Sequence, residues 1–115
     1  MIEIDKTLAL WFSFLFLFLF ILSIFGAICN LFVVNQNGGR MPVYNSDLNT
    51  NKHFGYIDNG KIAYPFLSDI IKIGDYIFSI GDIFIIFSIL FSFSLYVWIV
   101  YLTYTFHNSK KQKNK

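Results

Sequence analysis

The chain has 115 residues, of which 56% are hydrophobic and 14% are charged, and its formal net charge is +2. Soluble domains usually carry roughly 25% charged residues, so this composition argues against a water-soluble globule. The apolar residues form two long blocks, which predict two membrane-spanning helices. The lone cysteine, Cys29, excludes an internal disulfide.

The first apolar block, residues 8–34, is predicted to be a transmembrane helix. Its interruptions are only Ser13, Ser23, Gly26 and Asn30. At about 1.5 Å per residue the block reaches roughly 40 Å, against a hydrocarbon thickness near 30 Å. This length, with no alternation of polar and apolar residues, favours a helix over a strand.

A cleaved signal peptide is the main alternative for this block. Such a peptide has a basic start and an apolar middle of roughly 7–15 residues. Here Glu3 and Asp5 precede the block beside Lys6, and the apolar stretch is longer. A lipoprotein site at Cys29 is also disfavoured, because Ile28 stands where a small residue is needed. We therefore expect a retained helix in which the cysteine is inert packing.

The connection, residues 35–82, begins with a predicted turn. Gly38 and Gly39 permit a sharp or left-handed backbone, and Pro42 stiffens the exit. Further along, Asn59-Gly60 lies between short apolar flanks and predicts a β-hairpin over residues 56–64.

An interfacial helix is predicted after this hairpin, opening at Pro65. Its apolar residues would share the face that lies on the bilayer: Phe66, Leu67, Ile70 and Ile71. Its polar residues would point away from that face: Ser68, Asp69 and Lys72.

The second apolar block, residues 83–106, is the second predicted transmembrane helix. Ser79-x-x-Asp82 before it predicts a capping box, in which each side chain bonds to the other residue's backbone N–H. This interpretation keeps the carboxylate at the positive end of the helix dipole and out of the lipid. The alternatives are a chemical role for Asp82 or an ion pair with Arg40, which could instead bind a phosphate.

A helix–helix seam follows if the two helices pair antiparallel. Counted from the outer face, Asn30 is level with Ser88, and Gly26 is level with Ser92. Small and polar residues would then meet, and Asn30 would find a partner for its amide. We expect the asparagine and both serines to face the partner helix.

The tail, residues 107–115, predicts the orientation. It contains Lys110, Lys111, Lys113 and Lys115 and no acid. Such a cluster resists translocation, so both termini are expected in the cytoplasm and residues 35–82 outside it. The predicted fold is an all-α membrane protein, a single membrane domain over residues 1–115: a two-helix transmembrane hairpin with a partly ordered extracytoplasmic loop.

Four segments together are similar to a known family: NGGRMPV at residues 37–43, then His53, FLSD at 66–69 and SIGD at 79–82. The pattern resembles an uncharacterised family of bacterial integral membrane proteins, classed as a domain of unknown function. This resemblance implies a bacterial cytoplasmic membrane, no known reaction, and the following signature positions: Asn37, Gly38, Gly39, Arg40, Met41, Pro42, His53, Asp69, Ser79, Gly81 and Asp82.

A candidate loop site is formed by Arg40, His53, Asp69 and Asp82. Converging at the membrane surface, they could clamp a lipid or phosphate headgroup and provide an acid and a base. No nucleophile elbow, P-loop or metal-ligand set accompanies them, so we predict no cofactor and favour a structural or partner-binding role over an enzyme. The expected partners are the lipid bilayer and another membrane protein or a second copy, and no nucleic acid.

Overall fold

Two long helices dominate the computed structural model, which describes residues 2–114. Helix α1 spans Ile2–Gln36 and helix α2 spans Ile80–Lys113. Each extends beyond the predicted apolar span, and α2 includes most of the tail, although Lys115 lies outside the described residues. Hydroxyl groups inside the helices bond back to carbonyls one turn earlier, as Ser13 does to Ala9 and Ser94 to Leu90, so they add no unpaired polar groups.

The helices pack antiparallel into a rod with extents of 71 × 25 × 20 Å. Leu19 and Val33 of α1 are buried, and the rings of Phe25 and Phe84 lie 5.8 Å apart across the interface. Most other large apolar side chains are exposed, because two helices alone cannot cover each other. By length and composition both helices are able to cross a membrane.

The connection between the helices folds into a small cap, which we define as residues 37–79. Strands β1 (Met41–Tyr44) and β2 (His53–Tyr56) pair in parallel, with Met41 opposite His53. Strands β3 (Ile71–Ile73) and β4 (Tyr76–Phe78) form an antiparallel hairpin. The cap therefore contains two separate two-stranded sheets. The predicted fold, two long apolar helices that could span a membrane joined by a partly ordered loop, is confirmed.

The cap has its own small core beneath β1. Met41, Val43 and Tyr56 are buried, and the Tyr56 hydroxyl shares a hydrogen bond with the hydroxyl of Ser68. Asp69 extends the β1 edge by a bridge to Val43, donating its backbone N–H to Pro42 at 3.0 Å. This bridge fixes the backbone on both sides of the core.

The β-hairpin predicted over residues 56–64 is wrong in its position. Tyr56 is already paired with Tyr44 in the parallel sheet, and Asn59–Lys61 form a single 3-10 turn. The hairpin lies further along, where Gly74 at the turn between β3 and β4 adopts φ +61. Only such a turn residue with positive φ lets two short strands reverse here without strain.

The predicted interfacial helix is also wrong. Pro65 opens only one 3-10 turn, Pro65–Leu67, and two residues of the predicted polar face, Ser68 and Asp69, do not point outward. Ser68 and Asp69 are buried, at 0% and 6% exposure, whereas Phe66 is 57% exposed. The reason is that the bridge to β1 requires extended backbone at Asp69, which ends any helix before it.

Candidate functional site

The first polar cluster, which we call the helix junction, consists of Asn30, Ser79 and Asp82. The predicted capping box is present: the backbone N–H of Ser79 donates to Asp82 Oδ2, and the N–H of Asp82 donates to Ser79 Oγ, both at 3.1 Å. Asn30 of α1 completes the cluster, because its Nδ2 donates to Asp82 Oδ1 at 2.8 Å and its Oδ1 accepts from Ser79 Oγ at 2.7 Å. The carboxylate is thus fully engaged in joining the helices.

Two glycines let the backbones approach at this junction. A Cβ on Gly26 would lie 2.5 Å from the Gly81 carbonyl oxygen, which is closer than real contacts allow. A Cβ on Gly81 would meet Asn30 Oδ1 and the Gly26 carbonyl oxygen. Small residues therefore bring the helices together where the hydrogen bonds form.

The predicted seam is shifted by roughly two helical turns. Asn30 faces the partner helix as expected, but its partners are Ser79 and Asp82, not Ser88. Gly26 faces Gly81, Phe84 and Ile85, not Ser92. The depth count failed because it set the outer ends of the two apolar runs level, whereas Asn30 meets the N-cap of α2 and α1 continues past that level to Gln36.

Ser88 and Ser92 lie deeper along α2 than the junction. Ser88 is 3% exposed, and its hydroxyl donates to the Phe84 carbonyl at 2.7 Å. Ser92 is half-buried. Neither serine bonds to Asn30, so the small-residue seam is the glycine pair.

The turn after α1 is built as its sequence suggests. Gly38 and Gly39 have φ of +75 and +87, and the Gly39 N–H donates to the Val34 carbonyl at 2.9 Å. The Asn37 side chain donates to Val33 and to Ala63, and accepts from the Ala63 N–H at 3.0 Å. Pro42 is fully buried in the exit. This turn ties the helix end to the cap.

Arg40 lies away from the two acids of the candidate loop site. Its guanidinium donates to Asn49 Oδ1 at 2.8 Å and lies 5.0 Å from the centroid of the Phe54 ring. The alternative ion pair between Arg40 and Asp82 is therefore not formed. The arginine instead donates to residues 49 and 50, in the segment that connects β1 to β2.

The other three candidate residues line one cavity, which we call the acidic pocket. His53, Asp69 and Asp82 lie there with Lys52, in a volume of about 310 Å³ at the join of cap and helices. Its remaining wall is formed by Val34, Gly39 and Met41. His53 Nε2 is 3.8 Å from Asp69 Oδ2, beyond direct hydrogen-bond reach.

Asp69 is the unusual group of the acidic pocket. It is 6% exposed, and its Oδ1 has no hydrogen-bond partner among the residues that the structure describes. Burial, together with the nearby charge of Asp82, raises the pKa of the Asp69 carboxyl to about 6. A buried carboxylate without donors is costly, so this position is prepared to take a proton or a donor group.

Sequence reasoning missed Lys52, Val34 and the burial of Asp69. Lys52 directly precedes β2, and its place at the pocket follows from the parallel pairing of β2 with β1, for which the sequence carries no local signal. Within residues 2–114, no group of three histidine, cysteine or acidic residues is arranged to hold a metal ion. Cys29 is a half-buried free thiol. The chemistry available in the pocket is proton exchange and the binding of hydrogen-bond donors.

These observations define a helical hairpin whose two membrane-capable helices are closed at one end by a hydrogen-bonded cap. The chain belongs to DUF5317, a family of unknown function, whose family model matches residues 4–95. The matched region includes the NGGRMPV and SIGD segments and the whole acidic pocket. Neither the comparison with curated proteins nor that with solved structures gives a match.

Proposed function

We propose that the chain is a small integral membrane protein that crosses a bacterial cytoplasmic membrane twice, with both termini in the cytoplasm and the cap outside. The lysines at the end of α2 support this orientation. The lipid bilayer then covers the exposed apolar faces.

The cap of this membrane protein is a binding module for a cationic group. The observation that carries this proposal is the Asp69 carboxylate, which is buried at the acidic pocket with one oxygen unpaired. A protonated amine supplies both the positive charge and the N–H donors that this carboxylate lacks. Val34 and Met41 give the pocket an apolar wall, which suits the carbon attached to an amine.

A phosphate ligand is less compatible with the pocket. Two carboxylates, Asp69 and Asp82, against the single ammonium group of Lys52, would repel it. Arg40 is engaged elsewhere, by Asn49 and Phe54. The acidic pocket, which was expected to hold a phosphate, therefore favours a positively charged ligand.

Binding fits this site better than catalysis. The distance of 3.8 Å between His53 and Asp69 exceeds the reach of an oriented acid–base pair. The nearby hydroxyl of Ser79 is fully buried and donates to Asn30, so it cannot attack a ligand. The helix junction accordingly supports the pocket without taking part in a reaction.

Calorimetric titration of the detergent-solubilised protein with ethanolamine tests the proposal. The Asp69→Asn variant should bind roughly tenfold more weakly or worse, because it loses a charge-assisted hydrogen bond. Asp75→Asn, at an exposed turn, is the matched control and should bind as the wild type does. Equal binding by the Asp69 variant, or a preference for inorganic phosphate over ethanolamine, would contradict the proposal.

Two further experiments test which cationic group binds. Lys52→Met removes the ammonium group that the protein itself brings to the pocket, so ethanolamine should bind more tightly to this variant. Nanodiscs with and without phosphatidylethanolamine separate a lipid headgroup from a free amine, because a bound headgroup would compete with added ethanolamine. Weaker binding after the lysine change would argue against an amine ligand.

A further inference from the structure

A second cavity lies at the end of the hairpin opposite the cap, between the start of α1 and the end of α2. We call it the tail cavity, and its volume is about 550 Å³. Most of its wall is apolar, and His107 and Lys110 also line it. Its apolar lining residues are Leu8, Ala9, Phe12, Ile99, Leu102 and Phe106.

The two threonines that line the tail cavity do not make its wall polar. Thr103 Oγ1 donates to the Ile99 carbonyl at 2.8 Å, and Thr105 Oγ1 donates to the Leu102 carbonyl at 3.0 Å. Their hydroxyl protons are therefore used within α2. A ligand in the tail cavity would contact apolar side chains along its length and the Lys110 ammonium group at its end.

The length of the tail cavity matches one leaflet of a bilayer. From Ile99 to Lys110 the helix rises about 16 Å, at roughly 1.5 Å per residue. Half of a hydrocarbon core near 30 Å is about 15 Å. An acyl chain of this length that starts beside Lys110 would thus end near Ile99.

The charge at this end of the hairpin is positive. Lys6 and the lysines of residues 107–115 outnumber Glu3 and Asp5, the acids at the start of α1. The amino end of α1 adds the positive end of a helix dipole. Lipid headgroups that carry a negative charge are therefore attracted to the mouth of the cavity.

We propose that the tail cavity binds an anionic phospholipid, with one acyl chain between the helices and its phosphate on Lys110. The inference rests on the proposed membrane placement and is independent of the acidic pocket at the other end. It makes the lipid a specific ligand of the hairpin, distinct from the bulk lipid that covers the outer faces.

The test uses the full chain in nanodiscs of equimolar phosphatidylglycerol and phosphatidylcholine, followed by native mass spectrometry of the lipid that stays bound. Lys110→Gln is compared with Lys111→Gln, because only the first of these lysines lines the cavity. Ala9→Phe fills the cavity, and Ala27→Phe adds the same bulk at an exposed site elsewhere on α1. Circular dichroism checks that each variant keeps its helices.

The wild type should retain phosphatidylglycerol in preference to phosphatidylcholine. Lys110→Gln should lower this preference about fivefold, the effect of one lysine near a charged headgroup, while Lys111→Gln leaves it nearly unchanged. Ala9→Phe should remove the bound lipid and Ala27→Phe should not. Equal effects within either pair, or no preference for the anionic lipid, would overturn the inference. Failure of the wild type to enter the discs would instead refute the membrane placement.

Discussion

Replacing Asp69 with asparagine removes a buried charge from the acidic pocket while keeping the shape of the side chain. The pKa of this carboxyl is about 6 in the folded protein, against an ordinary value of 3.8. Because one pKa unit corresponds to about 1.4 kcal/mol, ionised Asp69 lowers the stability of the cap by about 3 kcal/mol at pH 7. The asparagine variant does not carry this cost.

The sign of the pH dependence follows from the raised pKa. The folded cap binds the Asp69 proton more tightly than the unfolded chain does, so this group favours folding when it is protonated. Its contribution is fully present below about pH 3.8 and is lost as the pH rises to about 6. The wild-type cap should therefore lose about 3 kcal/mol across this range relative to the asparagine variant.

Amide hydrogen exchange in detergent micelles measures this difference. The Met41 N–H, which donates to the Lys52 carbonyl at 2.8 Å, reports the free energy of opening of the cap after correction for the intrinsic pH dependence of exchange. Asp75→Asn should keep the wild-type pH profile. If the profiles of the wild type and the Asp69 variant were parallel from pH 4 to 7, the assignment of a raised pKa to the buried Asp69 carboxyl would be refuted.

Three changes at the helix junction are expected to destabilise the fold by the same assay. Asn30→Leu should lower the free energy of unfolding by about 2 kcal/mol, because a buried hydroxyl and a carboxylate lose their partner, whereas Asn35→Leu at the exposed helix end should have little effect. Gly26→Ala should separate the helices and speed exchange at the start of α2, unlike Ala27→Val on the exposed face. Ser79→Ala should cost about 1 kcal/mol as a lost N-cap. Wild-type exchange in any of these variants would contradict the role assigned to that residue.

The helices and the cap of α2 were predictable because local signals determine them. An apolar run long enough to cross a bilayer favours a helix, because a helix satisfies all of its backbone hydrogen bonds within the segment. Ser79 and Asp82 have the spacing of a capping box. The parallel pairing of β1 and β2 was not predictable in this way. It joins residues across a crossover that starts at Asn45 with φ +53, a conformation that asparagine tolerates, but such a residue marks a turn without showing which strands pair.

The sequence predicted most of the residues of the candidate site, but not the charge of the ligand that the site favours. His53, Asp69 and Asp82 do share one pocket, but Arg40 lies outside it. The difference arises because Asp69 joins the edge of β1, a contact between distant segments that turns its side chain inward. Helical periodicity, which assumed an exposed position for this residue, carries no information about such a bridge.

The helix junction joins the two helices at the end of the hairpin next to the cap. Asn30 bonds to the start of α2 there, and the opposite ends of the helices enclose the tail cavity. Apolar contacts are less directional than hydrogen bonds, so the spacing of the helices is defined more tightly at the junction than beside the tail cavity.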